Sequence, residues 1–416
     1  MDMCIKLREK RLKSFDGNEN EVDWTGLPDV LLMKIVERLS LSDSVSFSNV
    51  CVSFRCAAAE LFSNKRPSSA LPWLVMSGEN HTKIRTCFSI LERKVIYLEM
   101  PNSCGRYIWG SFEHWLVMVT PSNTGNKKHQ ISLLNPFLGN EVTLPNTIRR
   151  FFYSQLVASG SPYDPSTVYM LIGSMGTDLA FWTQGCKDWC QYERRRAYAW
   201  IDEGVFCNGY FYILEGRCCN IRQIEVKSAL CALRRDGTAA DTRSKHYQLG
   251  KPDDGSLSGG YWISYLVESC GEVLFIARLF NGVEDVYAEN SFTTYKFKVY
   301  RLDLCKLAWI SVDDLGDRVL FVGHKCSRSA SAKEMGSVEM GNCIFFTNEY
   351  ICLHGRHEWS DFTAHTDKRV KGSKIEEWGC YRLGSGNISY PAIQTNWSST
   401  WISAPLSWYA LLCPTF

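Results

Sequence analysis

Cys352, His354, His357 and His365 are of the residue types that bind zinc, and they lie close together in the chain. A structural zinc site needs ligands in closely spaced pairs. These four fit no such template, and Arg356, Glu358 and Asp361 among them mark a hydrated loop, so no metal is expected. Cys186 and Cys190 flank Trp189 without a second pair, which suits residues of a β-hairpin. Adjacent Cys218 and Cys219 cannot readily bridge each other and read as strand filler. Asp313, Asp314 and Asp317 could bind calcium or serve acid–base chemistry. The plainer reading is a turn in which carboxylate oxygens accept bonds from nearby N–H groups. Nucleophilic catalysis would need a base and an oxyanion site, and no Gly-x-Ser-x-Gly elbow occurs. Phosphate-loop and dinucleotide glycine patterns are missing too. No catalytic residue and no cofactor are therefore expected.

The elements carry more information. Near the N-terminus, Trp24-Thr25-Gly26-Leu27-Pro28-Asp29-Val30-Leu31-Leu32-Met33-Lys34-Ile35-Val36-Glu37-Arg38-Leu39 reads as an amphipathic helix. Pro28 suits a first-turn position that lacks an N–H partner, and Asp29 suits the positive end of the helix dipole. Leu27, Leu31, Leu32, Ile35, Val36 and Leu39 recur at helical spacing, giving one apolar face. Ser40-Leu41-Ser42-Asp43 can cap a second helix bearing Val45 and Phe47, and Val50 to Phe62 is again helical in period. Three helices of this length bury little apolar surface alone. Such a unit should place its spare face against a partner.

These residues resemble an F-box. The resemblance rests on Leu27-Pro28-Asp29, Leu31-Leu32, Ile35, Arg38-Leu39, Val50-Cys51 and Phe54-Arg55, within residues 22–64. Phe54 stands where the family usually has Trp, and Ser42-Asp43-Ser44 is more polar than in many members. The resemblance implies docking on a Skp-type adaptor and, through it, on a cullin ubiquitin ligase. The implied adaptor-binding residues are Leu27, Pro28, Leu31, Leu32, Ile35 and Leu39, with Val50, Cys51 and Phe54.

At 416 residues, with 45% apolar and 22% charged residues, the chain has the composition of one small and one larger globular domain. A formal net charge of +2 argues against nucleic acid, which calls for a clustered basic face. The cluster Lys6, Arg8, Lys10, Arg11 and Lys13 is short and reads as part of a solvated tail, residues 1–21, with a weak nuclear-import signal as the alternative. No apolar run is long enough for a bilayer, and Lys6 and Arg8 interrupt any signal-peptide core, so cytoplasm or nucleus is the expected location. The sequons at Asn80, Asn387 and Asn396 are then chance matches. The 18 cysteines are scattered, several within apolar runs (Cys207, Cys305, Cys343), as buried thiols rather than a disulfide framework.

From about Pro67 helical periodicity gives way to short β-rich runs separated by turn residues. Examples are Val95–Leu98, Trp115–Val119, Ile131–Leu134, Thr167–Ile172, Leu179–Trp182, Gly209–Leu214, Val273–Ala277, Tyr295–Tyr300 and Cys343–Thr347. A loose repeat closes on Leu144-Pro145, Trp189 and Trp309. Repeats of four strands suggest a β-propeller. Strands buried on both faces by neighbouring blades explain the consecutive apolar residues, and a single sandwich would be too small. Trp182, Trp189 and Trp309 should pack between blades. Trp397, Trp401 and Trp408 lie in an apolar tail that can close the ring, and residues 233–260 look like a polar insertion. The number of blades cannot be counted from repeats this degenerate.

This region also carries a resemblance. Leu133-Leu134-Asn135-Pro136-Phe137 with Glu141-Val142-Thr143-Leu144-Pro145 is similar to a hairpin of plant F-box proteins. Val299 to Asp303, Trp309, Leu315-Gly316-Asp317-Arg318 through Gly323, Ser327 to Ala332 and Gly341 to Thr347 resemble the KIB-type propeller family. The fold expected is thus α+β multidomain, a three-helix F-box at 22–64 followed by an all-β propeller at 70–416. The function implied is a non-catalytic substrate receptor of a cullin-based ubiquitin ligase, with an unidentified protein as substrate. A non-degradative F-box scaffold and a propeller enzyme are the alternatives. Asp253–Gly260 and Gly355–Trp359 are the candidate recognition loops.

Overall fold

The computed structural model describes residues 27–404 apart from 37, 40–46, 48–49, 52, 55–56, 58–70, 77–82, 92, 114, 121–129, 137–139, 147–152, 174–178, 193–200, 216–218, 237–241, 253–256, 258–260, 282–292, 324–325, 348, 352–372, 376–377 and 391–398. Two compact units divide near Pro67.

In the first unit, helix α1 spans Asp29–Val36. Pro28 lies just outside it and supplies the first acceptor, its carbonyl taking bonds from the Leu31 and Leu32 amides at 2.9 and 3.2 Å. Asp29 in the first turn and Lys34 in the last both oppose the helix dipole. Bonds from Arg38 N to Ile35 O and from Leu39 N to Val36 O tighten the exit. Phe47, Ser53, Phe54 and Ala57 are helical, and the rings of Phe47 and Phe54 stand 4.5 Å apart. The full extents of the expected second and third helices lie outside the described residues.

The second unit is a propeller of six blades. Blade 1 holds β1 Leu71–Met76, β2 Ile84–Ser89 and β3 Lys94–Glu99, with β27 Ser399–Ala404 added on the inner side. Blade 2 holds β4 Tyr107–Phe112, β5 Trp115–Thr120, β6 Gln130–Leu134 and β7 Glu141–Thr143. Blade 3 holds β8 Tyr153–Ala158, β9 Val168–Gly173, β10 Leu179–Thr183 and β11 Cys190–Tyr192. Blade 4 holds β12 Ile201–Cys207, β13 Tyr210–Glu215, β14 Asn220–Glu225 and β15 Ser244–Tyr247. Blade 5 holds β16 Tyr261–Ser269, β17 Glu272–Asn281, β18 Thr293–Asp303 and β19 Ala308–Ser311.

Blade 6 is irregular. Its β20 Arg318–Val322, β21 Arg328–Ser331, β22 Cys343–Phe346, β25 Gly379–Arg382 and β26 Ile388–Ser389 run in the order β21-β20-β22-β25-β26, with β20 and β22 parallel. The hairpin β23 Glu349–Ile351 and β24 Ser373–Ile375 lies between β22 and β25 in sequence.

The ring closes as the apolar tail suggests. β27 pairs antiparallel with β1, from Leu71 opposite Ala404 to Met76 opposite Ser399, and Trp401 stands opposite Leu74. Trp397 and Trp408 lie outside the described residues.

Interblade cores account for the consecutive apolar residues. Every residue of β9 and β10 is buried, because one face packs on blade 2 and the other on blade 4. Trp182 and Trp189 sit in the core shared by blades 2 and 3, and Trp309 in that shared by blades 4 and 5. The loose repeat has a physical basis in two indole bonds. Trp189 Nε1 donates to Pro145 O at 2.9 Å and Trp309 Nε1 donates to Cys219 O at 2.8 Å, each reaching the preceding blade.

Four expectations change. Residues 226–236 form a helix, α2 Val226–Asp236, between β14 and β15. Val226, Ala229 and Leu233 on it pack against blade 3. Part of the polar insertion is therefore ordered, and β15 falls within it. Cys219 is a left-handed turn residue (φ 57°), not strand filler. Cys305 is exposed in the turn between β18 and β19, whereas Cys207 and Cys343 are buried as expected. Strands β16, β17 and β18 reach 9, 10 and 11 residues, longer than the runs read from sequence, because polar residues continue the pairing past the apolar segments.

Candidate docking surfaces

Helix α1 divides its apolar residues between two stripes. Leu32 and Val36 are buried at 0% and 1% exposure, as are Phe47, Phe54 and Ala57. Leu32 and Phe54, both among the nine residues read as adaptor-binding, are therefore already covered by the chain itself. Pro28, Leu31, Ile35 and Val50 are exposed, while Leu27, Leu39 and Cys51 are half-buried. Pro28, Leu31 and Ile35 follow at helical spacing, so they line one side of the first turns. Val30, 64% exposed, adds an apolar surface residue that the periodicity did not single out.

The acidic cluster is a turn. Asp314 Oδ1 accepts from Gly316 N at 2.8 Å, Ser311 Oγ donates to Asp313 Oδ1 at 3.2 Å, and Asp317 Oδ1 accepts from Lys333 N at 2.9 Å. Ser331 Oγ also bonds Asp317. Gly316 has a φ of +60°, a conformation that L side chains resist. Arg318 reaches Glu272 of blade 5 at 3.1 Å, a carboxylate that Arg301 also approaches at 3.4 Å. The Leu315-Gly316-Asp317-Arg318 motif thus ties blade 5 to the loop before β22. No group of three or more potential metal ligands occurs among the described residues. Cys352, His354, His357 and His365 lie outside them.

Cys186 and Cys190 border an open cavity of about 500 Å³ that Trp189 and Leu233 also line. The Cys186 thiol donates to Leu233 O at 3.8 Å, joining the β10–β11 hairpin to α2. This is the hairpin role the sequence suggests.

Sequence reading missed several buried polar links between and within blades. The Gln155 amide bonds both Gly204 N (2.8 Å) and Gly204 O (3.1 Å), as a backbone neighbour would. A Cβ on Gly204 would meet Ile172 Cδ1 at 2.9 Å, so any larger residue at this crossing must displace the Ile172 side chain. Glu203 accepts from Leu266 N at 3.2 Å, joining β12 to β16. Within blade 4, Glu215 bridges Arg222 at 2.6 Å and His246 Nε2 at 3.0 Å. Arg278 donates to Thr294 Oγ1 and Thr347 O, each at 2.8 Å, beneath the rings of Phe280, Phe297 and Phe346. No periodic pattern marks such isolated polar residues inside apolar strands.

Of the two candidate recognition loops, Gly355–Trp359 lies outside the described residues. In Asp253–Gly260 only Leu257 is described; it is 3% exposed and packs in the core between blades 4 and 5. That contact anchors the middle of the loop.

Comparison with known proteins matches both units. Residues 24–65 match the F-box domain and residues 87–381 match the KIB1-4 beta-propeller. The F-box protein At2g17036 of Arabidopsis thaliana is 24% identical, over 78% of this chain and 84% of its own length. The F-box/kelch-repeat protein At1g57790 from the same plant is 26% identical, over 80% of this chain and 84% of its own. F-box protein SKIP23, also from Arabidopsis thaliana, is 24% identical over 78% and 84%. With a propeller match spanning most of the chain and an F-box ahead of it, the chain belongs to the plant F-box proteins that carry a KIB-type β-propeller.

Proposed function

We propose that the chain is the substrate-recognition subunit of a cullin-based (SCF-type) ubiquitin ligase. The F-box docks a Skp-type adaptor and the propeller holds a protein substrate. The observation that carries the reading is the exposed stripe of Pro28, Leu31 and Ile35 on a helix whose neighbouring stripe, Leu32 and Val36, is already buried. An apolar surface rooted on so firm a base suits a stable partner. Catalysis by this subunit is proximity alone: tethering raises the effective concentration of substrate lysines beside the loaded conjugating enzyme, so the receptor needs no nucleophile. Cytoplasm and nucleus both suit that role.

Leu31 and Ile35 are 46% and 40% exposed, so an adaptor can bury about half of each side chain. At about 1.5–3 kcal/mol for a whole side chain, the double substitution Leu31→Ala and Ile35→Ala should weaken binding by roughly one to two orders of magnitude. Calorimetric titration with purified adaptor measures this. Unchanged affinity in the folded double variant would remove the docking assignment.

A further inference from the structure

Cys343 on β22 and Cys380 on β25 lie on one face of blade 6. In the β22–β25 register Cys343 stands opposite Arg382 and Phe345 opposite Cys380, so the two cysteines are diagonal neighbours. Both belong to the core between blades 6 and 1. Cys343 is 1% exposed within it, and Cys380 is half-buried at its margin. Both are free thiols, and that of Cys380 donates a hydrogen bond to Cys343 Sγ.

A buried thiol is normally inert, because apolar surroundings disfavour the thiolate. Burial pushes Cys87 up to about 12 and Cys207 up to about 11. Cys343 moves the other way. The bond from Cys380, aided by the charge of Arg382, outweighs burial and brings the Cys343 thiol from 9.0 down to about 7. That same bond, together with burial, pushes the ionisation of Cys380 far up. Among the described residues, Arg382 is the charged side chain that acts on both thiols. The pair thus gives up one proton near neutrality and keeps the other. The proton that stays can pass between the two sulfurs, and when it sits on Cys343 the thiolate is the half-buried Cys380.

We propose that Cys343 and Cys380 are a site of oxidative modification, closed to a disulfide by hydrogen peroxide. The Cys380 thiolate attacks one peroxide oxygen and breaks the O–O bond. Cys380 becomes a sulfenic acid, and the departing hydroxide takes the Cys343 proton and leaves as water. The Cys343 thiolate then attacks the Cys380 sulfur, forming the S–S bond and releasing hydroxide, which takes a proton from solvent. Two thiols and one peroxide give one disulfide and two waters, so two electrons pass from sulfur to peroxide. Diagonal neighbours on paired strands lie about 7–8 Å apart, slightly beyond the usual Cα span of a disulfide. Closure therefore draws β25 along β22 and leaves a bond that thiols readily reduce. Trp378, just before β25, packs edge-on against Phe88 of blade 1. The β23–β24 hairpin lies between the two cysteines in sequence. Oxidation thus acts on the seam where the ring closes.

The test uses full-length protein, reduced and then freed of reductant. It is treated with an equimolar amount of hydrogen peroxide, unfolded in the presence of an alkylating reagent, and mapped by mass spectrometry without reduction. A peptide linking 343 to 380 should exceed every other cysteine pair about tenfold or more, although Cys104, Cys231, Cys270 and Cys305 are the exposed thiols among the described residues. Dithiothreitol should remove it. In the folded, unaltered protein the rate of Cys380 alkylation by iodoacetamide should rise with a midpoint near pH 7. In Cys343→Ala that midpoint should move up to the ordinary thiol value of 9.0 or beyond, a shift that a packing role for Cys343 does not produce. Should that variant fail to fold, the linked peptide and the midpoint in the unaltered chain still decide. Oxidation of the exposed cysteines ahead of the pair, a link from Cys380 to another residue such as Cys326, or an ordinary midpoint in the unaltered protein overturns the proposal.

Discussion

At the scale of single residues, buried polar groups set the terms on which the ring holds together. Arg278 is fully buried, and its guanidinium bonds Thr294 in its own blade and Thr347 at the end of β22 in the next. Arg278→Ala removes both bonds and leaves a cavity among three aromatic rings, so it should cost about 3 kcal/mol in urea unfolding. Cys87 gives a pH-dependent test. Burial pushes its thiol from 9.0 up to about 12. Below about 9 both folded and unfolded chains hold this proton, and its contribution to stability is fully present. Above 9 the unfolded chain releases the proton while the folded chain keeps it, so stability falls by about 1.4 kcal/mol per pH unit until roughly 12. Unfolding midpoints between pH 8.5 and 10.5 should therefore drop less steeply in Cys87→Ala than in the parent chain. Equal slopes would show that Cys87 is not the group responsible.

At the scale of elements, the strands that could be read in advance are those buried on both faces. Trp115–Val119 and Leu179–Trp182 are short continuous apolar runs, and the structure places them mid-blade in β5 and β10. Helix α2 escaped notice because Lys227, Arg234, Arg235 and Asp236 dilute an apolar face of Val226, Ala229, Leu230 and Leu233 within eleven residues. Blade 6 escaped because a parallel β20–β22 pair depends on a crossover through residues 332–342, which no local pattern announces. Strand β27 makes the strongest prediction here. Deleting from Ser399 onward strips blade 1 of its inner strand and bares β1, so the thermal midpoint should fall by on the order of 10 °C. Deleting only from residue 405 onward should not reproduce that fall. Scanning calorimetry on both truncations decides it, and equal midpoints would mean that β27 does not close the ring.

At the scale of the whole molecule, the two units should be separable. The helical unit has buried Leu32, Val36 and Phe54, and the ring has its own interblade cores, closed between blades 6 and 1 by Leu74, Phe88, Val319 and Phe345. A chain beginning near Ser68 should therefore remain folded and β-rich by circular dichroism while losing the adaptor. Aggregation of that fragment would show that the helices belong to the propeller's own core.

The sequence by itself determined the unit order, the helical start at Pro28-Asp29, the β character beyond Pro67, and the indole positions that join blades. Each follows from local rules: dipole and capping preferences, the periodicity of burial, and turn residues between runs. Tertiary structure alone decided the number of blades and the splitting of the α1 apolar residues into buried Leu32 and exposed Leu31 and Ile35. Those features depend on what lies across from a residue. An apolar side chain is the same letter whether a neighbouring blade covers it or water does. The difference lies in contacts between segments far apart in the chain, such as Arg328 on β21 donating to Glu113 O in blade 2 at 2.8 Å. Periodicity reports that a face must be covered, and only the assembled ring shows which faces remain uncovered.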